Sequence, residues 1–531
     1  MKTIGTFSRL AIAGLLFATT SAWGVAFTTN TTISPLDTGY DGKDIIVSNC
    51  TVTIDGMHSF NSVLVAPGGV LTHSSLPGGS TNLLFNVTNE PQILDASFPV
   101  TLLHSNVVGL VTVTDTSGLV TYSNGVDYVQ TSLADGTTQI YATTNSSIPG
   151  DATVFVSYTW AYTYNAGLYL NVSNNVTVAA GGSINVNQAG YGSGKGAGHG
   201  YMSPIYPMDG SGAGHGGSGG LAYNGYFTGG ICYDSLYQPT DAGSGGGVSY
   251  AGSGGSGGGY IRIKAGGSVN IDGLISANGA DATNSRAGGG AGGGIWITAT
   301  NVSGTGSILA NGGAGEPTQG GGGGGGRIAI QSVYNTFSGV MTAYGGNGFV
   351  NGGAGTLLTQ TNGLASHLLV DNGGQVGASS AVTLGTPADV VISGGATVQT
   401  SSAFNPNNLT IATNGTLRGS SQILLNLVAG GNVTIQAGGR LTLDSLGYAP
   451  GQGPAPGRPY SNGSAIIPNG GGGHGGYGAA GSDPNATGGS TYGSQTAPVT
   501  FGSGGGNFGT TGLTGLGGAG GGVVQLTVAG T

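Results

Sequence analysis

The sequence predicts an all-β fold, specifically a single-stranded parallel β-helix. Three observations carry that reading: scarce helix formers, apolar residues alternating with period two, and a repeat of fixed length. Of 531 residues only two are Glu (Glu90 and Glu316) and four are Lys, so the residues that sustain helices in water are nearly missing. The repeat appears when YIRIKAGGSVNIDGLISANGADA from Tyr260, IWITATNVSGTGSILANGGAG from Ile295 and RIAIQSVYNTFSGVMTAYGGNG from Arg327 are aligned. The shared alanines, Ala277, Ala310 and Ala343, are 33 residues apart. In each unit a pair of apolar residues alternates with variable ones (Ile261 and Ile263, Ile295 and Ile297, Ile328 and Ile330), the period of a strand with one buried face. A single coil cannot bury that face alone, but stacked coils share one core.

Read from the N-terminus, residues 1–26 have the form of a secretory signal peptide. Lys2 and Arg9 lie near the start, an apolar run covers 10–20, and small residues offer cleavage after Ala22 or Ala26. The run is too short to span a membrane, and no other stretch is long enough, so the expectation is an exported chain with no transmembrane segment. Residues 27–75 (DIIVSNCTVTID, SVLVAPGGVLTHS) read as the first coils. Residues 76–165 differ: Asn124-Gly125 and Asp135-Gly136 separate alternating strands, which predicts an inserted antiparallel β unit. Residues 166–361 hold the 33-residue units and long glycine-rich excursions, and 362–430 look like plain coils with Gly-Gly or Asn-Gly corners. Residues 431–531 repeat the cassette that begins at 166: VTVAAGGSINVNQAGYG from Val176 matches VTIQAGGRLTLDSLGYA from Val433, and His215 and Tyr233 match His474 and Tyr492. This second copy stops where the first enters its 33-residue units, so it reads as truncated.

The excursions leave the coils at the same corner and should stack on one side of the solenoid. Their glycines predict extended, polyproline-II-like segments packed backbone against backbone. Gly accounts for 115 residues, but it is clustered and Pro numbers only 19, which excludes collagen. Eleven Lys and Arg spread over the chain, with net charge −9, exclude a phosphate-neutralising surface and hence nucleic-acid binding. Two cysteines, Cys50 and Cys232, exclude a disulfide framework and leave open whether they pair.

The runs GGGAGGGIWI, GGGGGGRIAI and ISANG, with the cassettes around YDSLYQPTD and GSGGG, resemble the large glycine-rich parallel β-helix surface proteins of environmental bacteria. They are also similar to plant extracellular glycine-rich proteins. The resemblance covers roughly residues 168–531 and the opening strands near 41–73. It implies a secreted structural or adhesive role and brings no catalytic residue with it.

Many parallel β-helices cleave polysaccharides, so enzyme motifs need a direct test. Gly214-His215-Gly216 followed by Arg262-Ile263-Lys264 is similar to two polygalacturonase motifs, but that family's Asn-Thr-Asp and Asp-Asp motifs are missing from the sequence. Without paired carboxylates a glycosidic bond lacks its acid and its base. Asp272 and Asp444 sit singly in repeated coils, and His215 recurs as His474 inside a repeat, which favours a structural role. Gly194-Lys195 lacks the following Ser or Thr of a phosphate loop. His199, His215 and His474 lack a second ligand at metal-binding spacing. The sequence therefore predicts no catalytic, cofactor or metal residue.

What remains are aromatics in the first glycine-rich excursion: Tyr191, Tyr201, Tyr206, Tyr223, Tyr226 and Tyr233. Exposed rings there would stack on sugars or on another chain; inward rings would pin the glycine segments to the solenoid. The expected function is a structural or adhesive protein of the cell surface or matrix, with polysaccharide or copies of itself as partner. A pectin-lyase-like polysaccharide hydrolase or lyase is the alternative, and a glycan-binding module the second one.

Overall fold

The computed structural model describes residues 24–531 apart from 75–79, 97–98, 135, 151, 166, 205–207, 224–227, 251, 284, 402, 459–468, 483–484 and 511–512. The expected signal peptide thus lies almost wholly outside the described residues. The chain is all-β; among the described residues there is one three-residue 3-10 turn, at Thr38–Tyr40, and most of the strand pairs are parallel. One sheet has 15 strands and a second has seven, and successive passes of the chain add a strand to each.

The 33-residue units show how sequence makes this arrangement. Strands Tyr260–Ala265, Gly294–Ser303, Arg327–Asn335 and Thr356–Thr361 pair in parallel, which sets Ile261, Ile295, Ile328 and Leu357 in one inward column. Ile263, Ile297 and Ile330 form the next column, and all of these are buried. Ala277, Ala310 and Ala343 are also buried, at the corner that closes each second-sheet strand. Beside them an amide ladder ties one pass to the next. The side-chain oxygens of Asn187, Asn278 and Asn311 accept from the N–H of Asn278, Asn311 and Tyr344 at 2.7–2.8 Å.

Strands Gly56–Phe60, Ser62–Val65 and Val70–Thr72 pair directly with Leu168–Val172, Val176–Val178 and Ser183–Asn185. The parallel stack therefore passes over the intervening residues, which build two antiparallel sheets of four and three strands. These have a core of their own around Val113, Ile140 and Val156. Gly136 supplies the positive φ that turns Tyr128–Ser132 into Thr138–Ala142.

The plain-coil reading of 362–430 does not anticipate one feature. Thr356–Thr361 pairs antiparallel with Ser366–Asp371, so the polarity of the stack reverses there before parallel pairing resumes with Ala388–Ser393 and Leu409–Ile411. The cause is local: Gly363, at φ +75°, follows Asn362 in a tight turn. The buried apolar residues of the parallel stack fall into two clusters, one reaching to Leu357 and one that takes in Leu358 and continues past the reversal.

The glycine tracts follow a different bonding rule. From 288 to 293 the backbone N–H groups donate in turn to Gly247, Gly321 and Ala280, then to Ser244, Gly324 and Ala277. From 321 to 326 the acceptors are Gly210, Val350 and Gly313, then Ala213, Gly353 and Ala310. Each segment serves three neighbours in rotation, whereas a sheet strand serves two in one plane. None of these glycines has positive φ, so the requirement is space: a Cβ on Gly292 would lie 2.1 Å from Ala310 O, and one on Gly323 2.0 Å from Gly290 O.

Gly322→Ala should separate this effect from mere glycine content. Its Cβ would stand 2.0 Å from Gly346 O, while at Gly475 nothing lies within 4 Å. Thermal or urea unfolding should show a loss of at least about 1–3 kcal/mol for Gly322→Ala and a change within about 0.5 kcal/mol for Gly475→Ala.

Candidate functional site

The densest polar cluster forms where the loop of residues 232–242 crosses the first sheet. In the column Tyr260, Gly294, Arg327, Thr356, the side chain missing at Gly294 makes room for it. A Cβ there would meet Asp241 O at 2.6 Å and the Tyr260 ring at 3.1 Å. The loop is tied down from below: Arg327 Nε donates to Tyr233 O (2.8 Å), and Gln331 Nε2 to Tyr237 O (3.2 Å). At its far side the Tyr237 hydroxyl donates to Thr386 O (3.2 Å) and accepts from the N–H of Gly385 and of Thr386. A neighbouring column places the Arg262 guanidinium 3.4 Å from the centre of the Trp296 ring.

His215 and Asp234 form the centre of the cluster, both fully or nearly buried at the side chain. His215 Nδ1 faces Gly292 O at 2.9 Å and Nε2 faces Asp234 Oδ2 at 3.2 Å. Both partners are acceptors, so both bonds are made when each ring nitrogen carries a proton. Asp234 also accepts from the N–H groups of Ser235, Thr240 and Asp241. Burial pushes its pKa up, but the bond and charge of His215 and these N–H groups outweigh burial and hold it below the usual carboxylate value. Asp241 lies in the same loop and takes the Tyr191 hydroxyl at 3.0 Å. Burial and that carboxylate push the Tyr191 phenol up to about 12. The Tyr233 hydroxyl donates to Ala242 O and accepts from Ser244 Oγ, and burial raises its pKa as well.

The second cassette builds the same loop with the charges removed. Tyr492 donates to Phe501 O and accepts from Ser503 Oγ, as Tyr233 does with Ala242 and Ser244. Ser503 Oγ accepts from Ala455 N–H as Ser244 Oγ does from Gly198 N–H. Gly493 stands at the position of Asp234, however, and His474 Nε2 turns to the Thr500 hydroxyl at 2.9 Å.

The structure brings together only some of the sequence-predicted aromatics. Tyr191 and Tyr233 join this cluster and spend their hydroxyls inside it. Tyr201 packs beside His199, ring centres 4.8 Å apart. Tyr223 stands elsewhere, 61% exposed, edge-on to Phe349 with ring centres 5.3 Å apart. Tyr206 and Tyr226 lie outside the described residues. Cys50 and Cys232 are both free thiols. Asp272 is taken by Thr305 N–H and the Asn270 amide, and Asp444 is exposed. Among the described residues no group of three His, Cys, Asp or Glu is placed to hold a metal ion. Sequence reasoning missed Asp234, Arg327 and Phe349. The available signal was departure from the repeat: Asp234 faces Gly493 between the cassettes, and Arg327 stands where the other units carry Tyr260 and Gly294.

Comparisons with protein-family models, with curated proteins and with solved structures found no match for this chain.

Because the folded pKa of Asp234 is depressed, its contribution to stability is present above the unfolded value, near 4, and is lost as pH falls through the folded one. Asp234→Asn should lower stability at pH 7 by about 1–3 kcal/mol. In denaturant titrations at a series of pH values, its difference from the parent should shrink below about pH 4.

Proposed function

We propose that this chain is an exported structural or adhesive protein of the cell surface or extracellular matrix, acting by multivalent contact with polysaccharide or with copies of itself. In this reading the two parallel sheets are walls of a single-stranded β-helix. The glycine tracts form a bundle of polyproline-II-like helices along one side. The observation that carries the reading is the three-way rotation of bonds in those tracts, which matches the three residues per turn of polyproline II. Bundle and sheets together spend most of the chain on a stiff scaffold whose glycine faces have few side chains. Weak contacts repeated along such a scaffold add up to avidity. Export with cleavage after Ala22 suits the strand Gly24–Phe27, which pairs with Asp44–Val47 and would be cut into by cleavage after Ala26.

One surface supports the polysaccharide partner. Tyr223 and Phe349 present an aromatic pair, and each is held by a backbone bond to the turn at 316–320 (Tyr223 N–H to Gln319 O, Phe349 N–H to Gly320 O). Rings held this way offer a stacking platform for sugars.

The test is a panel of acidic and neutral polysaccharides with retention and release of reducing or unsaturated ends recorded together. Retention without release is expected, and Tyr223→Ala with Phe349→Ala should weaken it about fivefold or more, equivalent to about 1 kcal/mol. Turnover of the polysaccharide would replace this reading with the enzymatic one.

A further inference from the structure

The loop of residues 232–242 roofs a cavity of about 170 Å³ whose wall includes Cys232, Asp234, Leu236, Arg327, Ala381 and Thr383. Ala381 and Thr383 are exposed, so the cavity opens to solvent between them and the loop. Arg327 is 5% exposed. Its guanidinium makes two bonds, to Tyr233 O at 2.8 Å and to Thr356 Oγ1 at 3.2 Å, and both acceptors are neutral. A guanidinium has five N–H donors. Arg327 takes no part in the ion pairs His58–Asp41, His215–Asp234 and Arg286–Asp209.

The obvious counter-charge is already committed. Asp234 lines the same cavity, but its oxygens serve His215 and the N–H groups of Ser235, Thr240 and Asp241. Cys232 Sγ meets Ser218 Oγ at 3.3 Å and the Ala381 N–H at 3.4 Å. The charge of Asp234 reaches Arg327, but no carboxylate bonds the guanidinium; a buried cation without a bonded anion is costly, and a sheet column that carries Tyr260, Gly294 and Thr356 at the other levels does not need one for packing. We infer that the cavity is a binding site for a small oxyanion group, a carboxylate or sulfate, held by the free N–H edge of Arg327. The planar fork of a guanidinium fits two oxygens of such a group at once. The second cassette has Gly493 at the position of Asp234, so it does not repeat this wall of the cavity. The assignment does not depend on the adhesive reading.

Cys232 serves as a built-in reporter, since Cys50 is buried. The full chain would be alkylated with iodoacetamide in the presence of acetate, inorganic sulfate, galacturonic acid or neutral galactose, with Cys232 followed by peptide mass spectrometry and binding heat by calorimetry. Acetate, sulfate and galacturonate should slow Cys232 alkylation saturably, at least about threefold, and galactose should not. Preference for galacturonate over acetate would identify a sugar acid as the source of the group; equal effects of acetate and sulfate would identify a free anion. Arg327→Lys should weaken binding about tenfold or more, and Ala381→Phe, at an exposed position on the rim, should abolish the heat while leaving the melting temperature near that of the parent. Equal protection by galactose, no protection by any anion, or unchanged binding heat in Ala381→Phe would overturn the assignment.

Discussion

Extended backbone must find hydrogen-bond partners outside its own segment, and everything else in this protein follows from how that demand is met. A helix satisfies its N–H and C=O groups internally; a strand or an extended glycine segment cannot. Here the partners come from the next pass of the chain. A pass of nearly constant length, 33 residues at the second sheet of the repeated units, returns each group to the level of its counterpart. Register then sets side chains as well, so isoleucine stacks on isoleucine and asparagine on asparagine.

The two bonding schemes make opposite demands on side chains. In the sheets, alternate residues turn inward and contribute apolar area, and the inward columns of Ile, Val and Leu hold one pass to the next. In the glycine tracts, three neighbours approach every segment and the backbones leave no room for a Cβ. Such a bundle has almost no apolar side chain to bury. It depends on complete backbone bonding and on attachment to the sheets at both ends of each tract. Conformational freedom lost by glycine on ordering is large, so the bundle is stable as part of the stack rather than alone.

The loop over Gly294 shows where this economy of side chains is broken. The chain has few charges, yet His215, Asp234, Asp241 and Arg327 gather within a few residues of one another in space, and all but Asp241 are buried or nearly so. The second cassette forms the same loop from Tyr492 and Ser503 and keeps the histidine as His474, but Gly493 and Thr500 replace the two carboxylates. The loop's shape therefore rests on the tyrosine and serine, and Asp234 and Asp241 are an addition of the first cassette.

Much of the fold was legible in the chain. Missing helix formers, the 33-residue spacing of Ala277, Ala310 and Ala343 and the alternating isoleucines determine a parallel all-β stack, because periodicity is a local property of sequence. The Asn-Gly and Asp-Gly turns likewise mark the antiparallel strands between residues 80 and 165. The reversal at Gly363 was not legible, since an Asn-Gly corner reads alike whether the chain climbs on or turns back. Nor was the candidate site: Tyr191 and Tyr223 look equivalent in a list of aromatics, but one reaches Asp241 inside the fold and the other stands against Phe349 in solvent. Arg327 reads as the first residue of a repeat until the fold sets it under Tyr233 and beside a cavity. By itself the sequence determined the period, and with it the strands and the direction of their side chains. Only the tertiary structure decided which residues of distant passes meet, because contact between residues 90 or more positions apart depends on how every intervening pass is stacked.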